Sequence, residues 1–412
     1  MSESPPSLLS LPNELLVAII AVGQEARLPD DDFKPEWTMS RVSSRLRALT
    51  IGAPELWTLV EIALHAGFGR AVEKSKLYLE RSQRCKVWAA VRGQPMHQFS
   101  WSDPRVEKRL VAERLGHILP HTHRIWRLDI IAESVSMNAI GAMFRDAAAP
   151  SLEHLQIVPP PNFRRDRSHA VLEIFTAGAP PALAVLKLSG FMLVFPTPQW
   201  TASLVRLEMQ RGGGIVWVDE ESFTATTTPW PSLDFLHIDT SLLYSLTIPS
   251  LRSLHAPALV ELTIHHGHGA VFDATALPTI FVKFPALSSL SFVSTGCNCE
   301  EGMPPMHLPS QFPPLHLFPA LSSLTLINQC PTITTNMLEH FLGPAPLLDT
   351  VTVCPPKDTI ENVYTALQAV ICSKRGSAQA IPKFRFPRAR FEQSYWTANG
   401  VGVELFDATE AA

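Results

Sequence analysis

Charge is scarce in this chain. Only 17% of its 412 residues are Asp, Glu, Lys or Arg, against about 25% in an average soluble domain, and their balance is a net −4. A protein that binds nucleic acid through its phosphates carries a basic stripe, so nucleic acid is not an expected partner. Long apolar runs are lacking as well. The longest nearly apolar stretch, residues 15–22, is far short of the ~20 residues that a membrane span requires, and no membrane attachment is expected. Cysteine is sparse, at six residues. The opening Met-Ser-Glu-Ser-Pro-Pro puts no basic region ahead of an apolar run, as a secretory signal would. The two together lead us to expect reduced thiols and a cytoplasmic or nuclear location. Catalytic signatures are missing too. There is no Gly-x-Ser-x-Gly elbow and no His-Glu-x-x-His, and Gly212-Gly213-Gly214 is not followed by the helix and lysine of a phosphate cradle. The expectation is a non-enzyme with no cofactor and no metal.

Apolar residues and proline are abundant. At 46% apolar the chain can fill a core and is not disordered as a whole. Its length suggests two or three domains or one elongated repeat array. The 36 prolines are spread along the chain, as punctuation between elements.

At the front, Ser10-Leu11-Pro12-Asn13-Glu14-Leu15-Leu16 reads as a helix start. Proline is tolerated at the first helical position, where the amide has no intrahelical partner, and Glu14 then lies near the positive end of the helix dipole. Leu11, Leu15, Leu16, Ile19 and Ile20 share one broad apolar face. An acidic, solvated stretch with Asp30-Asp31-Asp32 follows. A second helix is expected over residues 37–49, with Met39, Val42, Leu46 and Leu49 at helical spacing and Arg41, Arg45 and Arg47 opposite. It ends at Pro54, ahead of Leu56-Trp57-Thr58-Leu59-Val60.

Taken in order, Leu-Pro-x-Glu-Leu-Leu, Val-Ser-x-x-Leu-Arg-x-Leu and Pro-x-Leu-Trp make residues 8–62 resemble an F-box, in particular those of the expanded families of mushroom-forming fungi. The acidic insertion between the first two elements is longer than usual. The resemblance implies docking onto the small adaptor subunit of an SCF-type cullin–RING ubiquitin ligase, and through it onto the cullin. Leu11, Pro12, Leu15 and Leu16 would supply the first contact patch, and Val42, Leu56 and Trp57 match later contact positions. Apolar anchors with few charges suit an interface centre; the plainer alternative is that they only hold a helical bundle together.

Beyond residue 100 the pattern Pro-x-Leu-x-x-Leu-x-(Leu/Ile/Phe) recurs at residues 150–157, 181–188, 231–238, 257–264, 285–292 and 319–326. Incomplete versions lie at 125–130, 204–209 and 348–353. The central residues, from Leu128, Leu155 and Leu186 to Leu324 and Val351, are 21 to 34 residues apart, close to the period of leucine-rich coils. Each repeat reads as a strand opened by proline, its two apolar residues on one face. Helix-compatible stretches lie at 105–119, 136–147 and 170–177. Leu246, Leu254 and Leu262 are too close for three coils, and the first two are assigned to the outer side of one coil. The asparagine position after the triplet is filled only near Asn328.

The expected fold is therefore an N-terminal all-α F-box-like module (1–63) followed by an irregular α/β leucine-rich-repeat solenoid (101–380). A connector with a helix at 70–81 and a strand at 87–91 (64–100) joins them, and a cap and tail (381–412) close the chain. The residue between the two apolar positions of each triplet should face outward. Those residues are Asp129, Gln156, Lys187, Glu208, His237, Thr263, Ser291, Thr325 and Thr352, charged at first and hydroxyl-bearing later, with Val293 and Ile327 beside them. They form a candidate surface for an unknown protein substrate, although threonine also simply suits strands. The expected function is a substrate-recognition adaptor of the ligase; the alternative is a protein-interaction scaffold with no ligase role.

Two further clusters carry little. His265-His266-Gly267-His268 with Cys297 and Cys299 has no zinc-finger spacing and reads as polar loops. The basic residues at 374–390 (Lys374, Arg375, Lys383, Arg385, Arg388, Arg390), interleaved with Phe384 and Phe386 and followed by Phe391, could stack on bases. They read better as a half-buried last strand.

Overall fold

The computed structural model describes residues 10–25, 34–64, 70–93, 104–160, 170–176, 178, 180–195, 198–210, 214–217, 230–239, 255–266, 284–294, 319–328, 348–355, 362–365, 367, 383–387 and 403–406. The acidic stretch at 30–32, Gly212 and Gly213, Leu246 and Leu254, His268, Cys297 and Cys299, and Lys374, Arg375, Arg388, Arg390 and Phe391 lie outside them. The chain divides into two compact units, residues 1–165 with 173–183, and residues 166–172 with 184–412.

The first unit opens with helix α1 (Asn13–Glu25), α2 (Pro35–Val42) and α3 (Ser44–Gly52). Pro12 precedes α1 by one residue, its carbonyl accepting from the Leu16 N–H at 3.2 Å. The single helix expected over 37–49 is two. Ser43 is extended (φ −152°, ψ 162°) and its hydroxyl accepts from the Leu46 N–H, capping α3 in the manner that makes serine a preferred N-cap. A 3-10 turn at Pro54–Trp57 leads into strand β1 (Leu59–Ala63). Then follow α4 (Arg70–Arg81), β2 (Val87–Arg92), α5 (Pro104–Leu115), β3 (Ile125–Ile131), α6 (Ser134–Phe144) and β4 (His154–Val158).

Buried polar groups tie these helices to the strands. Arg124, 7% exposed, donates to Ser82 Oγ and to the carbonyls of Leu79 and Cys85. Arg114 on α5 donates to the Ala63 carbonyl at 2.6 Å. Each such donor needs a partner when it leaves water, and each finds one on a neighbouring element.

The second unit holds β5 (Ala170–Leu172), β6 (Val185–Ser189), β7 (Phe191–Phe195), β8 (Arg206–Gln210), β9 (Gly214–Trp217) and β10 (Phe235–Asp239). After these come β11 (Glu261–His266), β12 (Ser289–Ser294), β13 (Ser323–Ile327), β14 (Thr350–Cys354), β15 (Lys383–Pro387) and β16 (Val403–Phe406). The helix expected at 170–177 is instead β5, which joins β7 and β9 in a small parallel sheet. Gly190, at φ 70°, makes the sharp turn from β6 to β7, in a region where a side chain would be strained.

The remaining strands form one 13-stranded sheet, β1-β2-β3-β4-β6-β8-β10-β11-β12-β13-β14-β15-β16, and every described pairing in it is parallel. This corrects the expected architecture. The molecule is a mostly parallel sheet with helices, an α/β arrangement, and not an all-α module followed by a leucine-rich-repeat solenoid. The front is not plainly all-α, because β1 begins two residues after Trp57 and α4 packs on it. The physical reason is that the recurring motif specifies a turn and a strand and nothing about the segment that returns. Among the described residues, the six helices of eight residues or more all precede β4.

The motif's own chemistry is visible in each repeat. Proline does not open the strand; it sits at the second position of a β-turn, where its φ is favourable. The Leu two residues later closes that turn, as in Leu233 N–H to Trp230 O and Leu287 N–H to Phe284 O. The strand starts four residues after the proline, at His154, Val185, Phe235, Glu261, Ser289 and Ser323. One carbonyl of the preceding repeat then accepts from two successive amides, as Val260 O does from Ser288 and Ser289. The register stacks Leu207, Leu236, Leu262, Leu290, Leu324 and Val351 in one buried column. No helix among the described residues is long and apolar enough to cross a membrane.

Candidate functional site

Two surfaces gather the residues singled out from sequence. The first is the helical front. Its apolar residues do not share one face. Leu16 and Ile20 of α1 are buried, whereas Leu15 (51% exposed), Ile19 (43%) and Val22 (62%) stand in solvent at i, i+4 and i+7. That spacing sets them on one stripe of the helix. Val42, at the end of α2, is 61% exposed, Pro12 is exposed and Leu11 is half-buried. Exposed apolar groups clustered this way mark a contact surface more often than isolated ones do.

Leu56 and Trp57 are in the core. Both have no exposed surface. The Trp57 indole N–H donates to the Thr50 carbonyl at 2.7 Å, its ring meets the edges of Trp37 and Tyr78, and the Arg81 guanidinium lies 4.3 Å over it. Of the seven positions matched to the adaptor interface, the structure therefore leaves Pro12, Leu15 and Val42 freely accessible and places Leu16, Leu56 and Trp57 inside. Val22 was missed because the apolar run was read as one broad face made of Leu11, Leu15, Leu16, Ile19 and Ile20. The signal available was its i+7 relation to Leu15.

The second surface is the outward side of the sheet, taken unit by unit. In the first unit Asp129 pairs with Gln156 in register. Asp129 accepts from the Trp88 indole N–H at 2.8 Å and forms an ion pair with Arg127, whose guanidinium also covers the Trp88 ring. In the second unit Lys187, Glu208, His237, Thr263, Ser291, Thr325, Thr352, Arg385 and Glu404 follow one another across paired strands. The stripe read from sequence is thus a physical row, two residues longer than read.

Its charges are arranged in groups. Glu208 takes Arg206 at 2.6 Å and Lys187 at 3.0 Å. Burial pushes the Glu208 carboxyl up, but hydrogen bonds from Arg206 and Lys187 and their charges outweigh it and leave it below the usual range. His237 stacks on His265 at 4.3 Å. Burial first, then the neighbouring His265, pushes the His237 imidazole down to about 4. Beyond His265 the outward residues of β12 to β14 are Ser289, Ser291, Ser323, Thr325, Thr350 and Thr352, with Val293 and Ile327 beside them. Lys383 and Glu404 close the row with an ion pair at 2.6 Å. Arg206, Asp239 and His265, two residues from stripe positions, are part of this surface and were not singled out for it. Period-two alternation was the signal for them.

No group of three or more His, Cys, Asp or Glu side chains among the described residues is arranged to hold a metal. Among the described residues, Cys85 is half-buried in the first unit and Cys354 is buried in the second. What the two surfaces offer is shape, exposed apolar area and hydrogen-bonding groups. Comparison with protein-family models and with curated proteins finds no match to this chain.

Proposed function

We propose that this protein is the substrate-recognition subunit of an SCF-type ubiquitin ligase. In this reading α1 and the end of α2 dock the ligase adaptor, and through it the cullin, while the outward face of the sheet holds a protein substrate. The observation that carries it is the stripe of Leu15, Ile19 and Val22 with Val42, apolar and exposed on the segment that resembles an F-box. Large apolar anchors of this kind supply most of an interface's energy. The residues provide docking and presentation, not catalysis, in keeping with a location in the cytoplasm or nucleus.

The test is recovery of the adaptor from a mixture with the purified chain, before and after Leu15→Asp with Ile19→Asp. Both positions are exposed, so the variant should keep its thermal midpoint. Recovery should fall tenfold or more, since a lost anchor costs about 2 kcal/mol. Equal recovery with both forms removes the reading.

A second reading, a protein-interaction scaffold without ligase role, is favoured by one observation. Leu16, Leu56 and Trp57 are fully buried, so the helical front also serves to cover the start of the sheet. It predicts no adaptor on the wild-type chain.

A further inference from the structure

On the outward face of the second unit, two cations share one carboxylate. Glu208 of β8, with a side chain only 9% exposed, takes Arg206 Nε at 2.6 Å and the Lys187 amine at 3.0 Å. Lys187 of β6 is opposite Glu208 in register, and Phe235 of β10 is opposite Arg206. The Arg206 guanidinium lies over the Phe235 ring, 3.7 Å from its centre. Held at Nε by the carboxylate and on one face by the ring, it has little freedom left. Its side chain is nevertheless 44% exposed. Among the described residues no hydrogen bond engages its two terminal amino groups.

The first unit shows the same device in a closed form. Arg127 covers the Trp88 ring and pairs with Asp129 two residues on, as Arg206 does with Phe235 and Glu208. There both Nε and a terminal nitrogen meet the carboxylate, and among the described residues no second cation shares it. Charge is balanced in that pair. In the second unit it is not. Burial pushes the Glu208 carboxyl up, but the hydrogen bonds and charges of Arg206 and Lys187 outweigh it, so the trio carries one surplus positive charge. The acids on the neighbouring strands, Asp239 of β10 and Glu261 of β11, are not at ion-pair distance from either cation.

We propose that Arg206 and Lys187 bind an aspartate or glutamate side chain of the protein partner. The terminal amino groups of an arginine offer the parallel N–H pair that matches a planar carboxylate, and the Lys187 ammonium adds charge beside it. One surplus charge suits a carboxylate, whereas a phosphate ester brings about two negative charges. Because the ring and Glu208 already fix the guanidinium, less side-chain freedom is lost on binding. The inference rests on the outward face being the partner surface, and it holds with or without ligase docking.

The probe is a fluorescent peptide with glutamates spaced by glycine, alongside glutamine and phosphoserine counterparts. Binding to the intact chain is read by anisotropy at about 0.15 M salt. The glutamate peptide should bind about tenfold more tightly than the glutamine one. Arg206→Gln should lower its affinity about tenfold. Arg206→Lys, which keeps the charge beside Glu208 but loses the fork, should lower it severalfold. Arg127→Gln, in the closed pair, should leave it unchanged. Equal binding of the glutamate and glutamine peptides, or wild-type affinity in both Arg206 variants, would overturn the proposal. So would a tenfold preference for phosphoserine that Arg206→Gln removes. A wild-type chain that binds the glutamate peptide through Arg206 but recovers no adaptor would uphold this inference and remove only ligase docking.

Discussion

The two units keep parallel strands together by different means. In the first, helices lie between strands, and buried polar side chains join them. Arg124 binds three acceptors, Arg114 reaches the Ala63 carbonyl, and Glu36 takes Tyr78 and Gln24. In the second, strands β10 to β13 share one repeated device, a proline turn followed by a leucine column in unbroken register. No arginine is buried there among the described residues. The polar joints are specific, each with its own partners. The leucine column is generic: every repeat makes the same contacts, so each strand relies on both neighbours. Individual polar joints suit a unit in which each connection differs, and a generic column suits one built by recurrence.

Cutting each device once sharpens the contrast. Leu290→Ala, in the middle of the column and fully buried, should cost about 3 kcal/mol through lost burial and the cavity left behind. Hydrogen exchange should show faster opening of β11 and β13 as well as β12, because both pair with it. Protection loss confined to β12 would break the picture of mutual reliance. Arg124→Met keeps an apolar stem but removes the guanidinium donor from Ser82 Oγ and from the carbonyls of Leu79 and Cys85. Because Ser82 Oγ still donates to the Leu79 carbonyl, the loss falls mainly on the Cys85 carbonyl and should cost about 1 kcal/mol, read from urea unfolding, with exchange rising at the end of α4 and not across the sheet. A loss spread evenly over β1 to β4 would show that the polar joints are not local.

What could be read from the sequence follows this division. The recurring unit was legible because proline at a turn and two leucines two apart leave a repeated signature. Helices at 70–81 and 105–119 were legible from polar–apolar period, and α4 spans Arg70–Arg81. The architecture was not. A repeat of turn and strand is compatible with several ways of returning the chain, and the expected solenoid came from supplying one of them by analogy. Over 170–177 a short apolar stretch allowed both helix and strand, a choice that periodicity alone cannot make; pairing of β5 with β7 settles it as a strand. The break at Ser43 was hidden because apolar spacing continues across it. Which of Leu15 and Leu16 turns inward was likewise invisible, since adjacent leucines fit one broad apolar face until tertiary packing separates them.

The smallest expected effect concerns the outward face of the second unit, where charged groups give way to hydroxyls. His237 is kept neutral mainly by burial, and the groups around it are His265, Glu208, Asp239 and Arg206. Unfolded, its imidazole binds a proton near the ordinary 6.5; folded, it does so only near about 4. Between those values the unfolded chain holds more protons, so stability falls as pH drops from 6.5 toward 4. Glu208, depressed below its usual value, keeps its contribution down to the carboxylate range and loses it only under stronger acid. The two groups therefore act in successive windows. His237→Thr, which extends the hydroxyl row by one position, should remove about 1 kcal/mol of the loss seen between pH 7 and pH 5. The other histidines lowered by partial burial, His117 and His121 among them, still contribute, so the slope should flatten without vanishing. Denaturation midpoints at pH 7, 6 and 5 that fall equally in both proteins would mean that water reaches His237 freely in the folded state. The outward face near β10 would then be as open as the hydroxyl row, and its charged and hydroxyl-bearing parts would form one continuous surface for a partner.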